Sequence, residues 1–175
     1  MSSSERGGPA PGRRAVLALL ALLPLAACGF RPALAPGAPA TALFGRIRAD
    51  DPADRAGVEF VARLEERLGR PAVPGWRLAW TLTLEEERLG LEAGVGETRA
   101  QLLGRLDWQL IPEGAEAPVT EGRIARFTGY SRTATPLAEE TAARDALARL
   151  SRLLADALVT ELTATAADWA AGTPG

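Results

Sequence analysis

The chain has 175 residues, 20 basic against 22 acidic, and a formal net charge of −2. Every basic residue is arginine, there is no histidine, and there is one cysteine. That balance excludes general nucleic-acid binding. It also removes the commonest metal ligand and the usual general base, so no metal, no cofactor and no catalytic residue is expected.

The chain opens basic and turns apolar. Arg6, Arg13 and Arg14 precede Ala15–Ala27, an apolar run of thirteen residues. A bilayer core of about 30 Å needs about twenty, so the run is too short to span and suits a signal-peptide core. It ends Leu25-Ala26-Ala27-Cys28. That order resembles the bacterial lipobox, which implies cleavage before Cys28 and lipidation of its thiol. The expectation is a signal peptide over 1–27 and a protein held to a membrane through lipid on Cys28; two or more acyl chains anchor stably. The residue after the cysteine is Gly29, not the Asp that favours inner-membrane retention, so the outer membrane is expected, facing the periplasm. The arginine pair Arg13-Arg14 lacks the rest of a folded-export motif. With Cys28 lipidated, no thiol remains for a disulfide or a nucleophile.

Removing residues 1–27 from 175 leaves 148, a single-domain length. It also removes Arg6, Arg13, Arg14 and Glu5, which takes the net charge from −2 to −4. The rest keeps Ser131 and Ser151, neither in a nucleophile-elbow context. Glu85-Glu86-Glu87 reads as a solvated strand end.

Residues 28–40 are rich in Pro, Ala and Gly and predict an extended tether. A single α/β domain is expected over 41–170, with a disordered tail over 171–175. Thr41–Ala49 predicts a first strand. Asp51 and Pro52 then predict a helix start, Val58, Val61, Leu64 and Leu68 an apolar stripe with Phe60 beside it, and Gly69 and Pro71 a stop. From Trp76 the residues alternate: Trp76, Leu78, Trp80, Leu82 and Leu84 on one face, Arg77, Thr81 and Thr83 on the other. Ala100, Leu102, Leu106, Trp108 and Leu110 repeat the pattern, with Arg105, Asp107 and Gln109 outward. The segment 87–96 between them predicts a hairpin tip. A fourth strand follows at Val119–Arg132, where Ile124 and Phe127 break alternation and predict a bulge near Ala125. The last helix starts near Thr135-Pro136, with Leu147, Leu150, Leu154, Leu158 and Leu162 inward. Arg144, Asp145, Arg149, Arg152 and Asp156 face out, with Glu140–Arg144 and Asp145–Arg149 spaced to pair.

The order β-α-β-β-β-α with one apolar face per element predicts an α+β two-layer sandwich: a four-stranded mixed sheet with two helices on one face. A right-handed crossover makes the first two strands parallel. By that trace Arg46, Arg48, Arg88, Arg99, Arg132 and both helix N-termini collect at the end away from the tether, a local positive pole. Arg88, Arg99, Arg132 and Arg48 are the candidate anion-binding residues.

With "LAACGFRP" at the start, this element order, and "YSRTATPLAEETAARDALARLSRLLADAL" entering the last helix, the chain resembles the LPS-assembly lipoprotein family, LptE, in its alphaproteobacterial form. The resemblance implies a domain that plugs the lumen of the outer-membrane β-barrel LptD, helps it assemble, and binds lipopolysaccharide. Arg88 or Arg99 at the hairpin and Arg132 before the last helix are then the nearest candidates to meet lipid A phosphates. The alternative is an auxiliary lipoprotein of a lipid-trafficking ABC transporter. A periplasmic hydrolase is disfavoured by the missing His and Cys.

Overall fold

The computed structural model describes residues 35, 37–92, 96–132 and 135–170. Cys28, the signal segment, most of the tether and the 171–175 tail lie outside them.

The first expected strand is mostly a turn. Pro39–Leu43 forms a 3-10 turn, with the Thr41 hydroxyl donating to Ala38 O at 2.6 Å. Strand β1 is only Ile47–Ala49. Gly45 stands between them at φ +67°, a left-handed turn that ends any extended run, and Leu43 is driven fully into the core. Helix α1 spans Arg55–Leu68 and is capped by Asp54, not Asp51: the Asp54 carboxylate accepts from Gly57 N–H at 2.7 Å. The buried stripe also differs from the expected one. Ala56, Phe60, Leu64 and Leu68 are buried, whereas Val58 is 53% exposed. Gly69 ends the helix at φ +81°, its N–H bonded to Glu65 O.

Strands β2 (Trp76–Glu92), β3 (Gly96–Pro112) and β4 (Thr120–Ser131) complete a sheet of order β1-β2-β3-β4. β1 is parallel to β2, and the remaining pairs are antiparallel. The predicted hairpin tip is strand almost throughout: pairing continues to Glu92 and Gly96. Nor is there a bulge at Ala125. The β3–β4 register is unbroken from Arg99–Ser131 to Leu110–Thr120. Ile124 and Phe127 lie three apart and must face opposite sides, so Ile124 is buried and Phe127 stays 64% exposed.

Helix α2 runs Pro136–Trp169, 34 residues and about 50 Å. Leu150, Leu154, Leu158 and Leu162 are fully buried; Leu147 is only half-buried. Thr160, Thr163 and Thr165 lie within it, their hydroxyls donating to Asp156 O, Val159 O and Glu161 O. Gly104 admits the helix against β3: a Cβ there would meet Leu154 Cδ1 at 2.9 Å. One core joins Phe60 and Leu64 of α1, the α2 leucines, and Trp76, Leu78, Leu106, Trp108 and Leu110 of the sheet. The predicted two-layer α+β architecture is therefore the observed one, with one sheet face bare of helices.

Candidate functional site

The bare sheet face is polar and mostly self-paired. Along it, Arg105 donates to Glu85 at 2.5 Å, Arg123 to Asp107 at 2.5 Å, and Gln109 to Glu121 at 2.8 Å. These are cross-strand partners in the register, or one diagonal step from it: Arg105 sits opposite Thr83, Asp107 opposite Arg123, and Gln109 opposite Glu121. Nearer the tether end, Arg77 forks onto Asp50 at 2.7 and 3.0 Å. That bond, first, and the Arg77 charge hold the Asp50 carboxyl below its ordinary value against the opposing effect of burial. A shallow concavity on this face is lined by Thr81, Asp107, Gln109, Glu121 and Arg123.

Among the described residues, the large apolar side chain that stands exposed on this face is Phe127. It faces Leu103 across the β3–β4 pair and lines a second concavity with Arg99, Gln101 and Gly129. The alternation pattern could have found it, since an exposed ring on a polar face is the residue that breaks the period.

The four candidate arginines do not converge. Arg48 sits opposite Arg77 at the start of β2 and pairs with Glu113 at 3.2 Å. Arg88 is eleven residues further along β2, about 36 Å away. β1 is too short to carry Arg46 and Arg48 toward the hairpin, so both lie at the tether end. Helix α1 also starts low, where Trp80 Nε1 donates to Asp50 O, which leaves α2 as the helix that begins at the far end.

At that far end the remaining three divide between the faces. Arg88 lies on the helix side with its Nε 4.0 Å from Glu86 Oε1. Arg132 pairs with Glu139 of α2 at 2.5 Å, and that hydrogen bond raises the guanidinium above its ordinary value. Tyr130 joins them: burial, then the Glu86 carboxylate, pushes its phenol above the usual range. The group Glu86, Arg88, Tyr130, Arg132 and Glu139 is charge-balanced, not the bare positive pole expected. Arg99 lies on the opposite face, exposed, in register between Leu89 and Ser131. Among the described residues no cluster of acidic, Cys or His side chains is placed to hold a metal, and no helix is long and apolar enough to cross a membrane.

No protein-family model matches the chain, and no curated protein matches it. Solved structures do. A protein of Caulobacter crescentus CB15 described as a lipoprotein aligns with TM-score 0.59 and 24% identity, over 76% of this chain and 96% of that one. Rare lipoprotein B of Shewanella oneidensis aligns with TM-score 0.54 and 16% identity, over 70% and 96%. A minor lipoprotein of Acinetobacter baumannii aligns with TM-score 0.53 and 11% identity, over 69% and 90%. At these identities the likeness is one of fold.

Proposed function

We propose that this protein is a lipid-anchored outer-membrane lipoprotein of the LptE type, which seats in an LptD-type β-barrel and assists lipopolysaccharide insertion. The observation that carries the reading is the bare sheet face. Its strands are up to 17 residues long, about 55 Å, and Arg105 with Glu85 and Arg123 with Asp107 are already matched across strands. A barrel lumen is polar and wet. A wedge entering it must present polar groups with few charges left unpaired on contact, and the central stretch of this face does so. The lipobox-like segment ending at Cys28 and the shared fold of three proteins called lipoproteins support the anchored half of the reading. The far-end residues Arg88, Arg99 and Arg132 supply guanidinium groups for lipid A phosphates, Arg99 from the bare face and the other two from the helix side. No enzymatic step is assigned.

The test is co-purification after mild detergent extraction of the full chain. An outer-membrane barrel partner in stoichiometric amount supports the reading. A permease complex in its place favours the ABC-transporter alternative and overturns the barrel.

A further inference from the structure

At the tether end Arg46 lies across Trp76, its guanidinium carbon 5.0 Å from the ring centroid. Gly75 makes room for it: a Cβ there would stand 2.8 Å from Arg46 Nη2. Two backbone bonds hold the same place, Gly75 N–H and Trp76 N–H both donating to Arg46 O. The guanidinium is thus oriented without any carboxylate of the described residues pairing with it. It borders a concavity of about 540 Å³ lined by Ala42, Pro74, Pro112, Ala115 and Ala170 and by one acid, Glu113. The acids at this end are Glu113, already held by Arg48, exposed Glu116, and exposed Asp168, which directly precedes the Trp169 ring packed on Trp76. Two large apolar side chains stand out on the same end, Phe44 at 41% and Val73 at 74% exposure.

We infer that this end is a seat for an anionic phospholipid surface, with Arg46 meeting a lipid phosphate and Phe44 and Val73 entering the headgroup–acyl boundary. An oriented cation, without an ion-pair partner among the described residues, beside a largely apolar hollow and with two exposed apolar side chains at the same end, matches the chemistry of an anionic lipid. Chain length agrees: Cys28 precedes Ala35 by seven residues, at most about 25 Å of extended chain. The inference rests on the lipid-anchored part of the proposed function, but not on the barrel.

The test uses the mature full-length lipidated protein in vesicles of phosphatidylethanolamine and brominated phosphatidylglycerol. A tryptophan reporter at Val73→Trp is compared with one at Phe127→Trp. With the parent's own Trp76, Trp80, Trp108 and Trp169 as background, the expected result is loss of most of the emission that Val73→Trp adds and none of what Phe127→Trp adds. Adding Arg46→Gln shifts the docked fraction about fivefold toward undocked, the worth of one cation at such a surface. Flotation with the vesicles without selective quenching at Val73→Trp overturns the seat and leaves the anchor standing. Absence of flotation overturns the anchor and the seat together.

Discussion

Arg63 of α1 grips Asp156 of α2 with a two-pronged bond, Nε to Oδ1 and Nη2 to Oδ2, each 3.1 Å. Arg67 reaches the same carboxylate at 2.5 Å, and Arg152 returns from α2 to Glu59 of α1 at 3.1 Å. The helix layer is therefore riveted by an arginine network above its apolar seam. Asp156→Asn is expected to lower the melting temperature, and Asp145→Asn, which is exposed and has no such partner among the described residues, to leave it close to the parent. Parallel thermal melts decide it: equal effects would mean the network contributes nothing measurable, as many exposed pairs do.

The close approach of α2 to β3 depends on Gly104. Gly104→Val places branched carbons against Leu150 and Leu154 and is expected to cost about 1–3 kcal/mol through overpacking. Gly129→Ala, on the bare face with only Ala100 O at 3.5 Å, is expected to be neutral or slightly stabilising. Urea unfolding of both variants measures the difference.

Asp50 gives the protein an acid-sensitive joint. Its folded-state value is lowered, chiefly by the Arg77 hydrogen bond. A depressed carboxyl contributes stability above the unfolded value, near 3.8, and that contribution is lost as pH falls through the folded one. Stability should therefore fall below about pH 4. Asp50→Asn should flatten that limb of the urea-midpoint profile while leaving the neutral region lower than the parent.

Tyr130 is the only tyrosine, so its phenolate can be followed directly by ultraviolet absorbance. Burial and Glu86 raise it above 10.0. A raised phenol stabilises the fold below its unfolded value and loses that contribution as pH rises to the folded one. The titration midpoint should lie above 10 and move down in Glu86→Gln, though not fully, because burial remains the larger cause. An unshifted midpoint in the parent would remove Tyr130 from the far-end cluster.

Much of this fold was legible in the residues. The alternation from Trp76 to Glu85 and from Ala100 to Leu110 fixes faces because its period is two, and the spacing of Leu150, Leu154, Leu158 and Leu162 fixes a helical stripe. The first strand was not legible, because "TALFGRIRA" alternates well enough while Gly45 turns the chain and Leu43 is claimed by the core. The cap was misplaced by three residues because Asp51-Pro52 and Asp54 offer the same chemistry and only tertiary position separates them. The site suffered most. The strand directions are those expected, yet Arg48 lies at the tether end and Arg88 at the far end, since element length, not order, decides how far β1 reaches. The pairing of Arg132 with Glu139 joins a loop to a helix and has no sequence signature.

The central claim, that the bare face lies against a barrel wall, is tested most directly by site-specific photo-crosslinking in cells. A crosslinker at Gln109, on that face, is compared with one at Arg144, on the outer side of α2. The account predicts that Gln109 captures an outer-membrane β-barrel. Capture of a permease subunit, or no capture from Gln109 while the lipidated protein is present at normal levels, would contradict it.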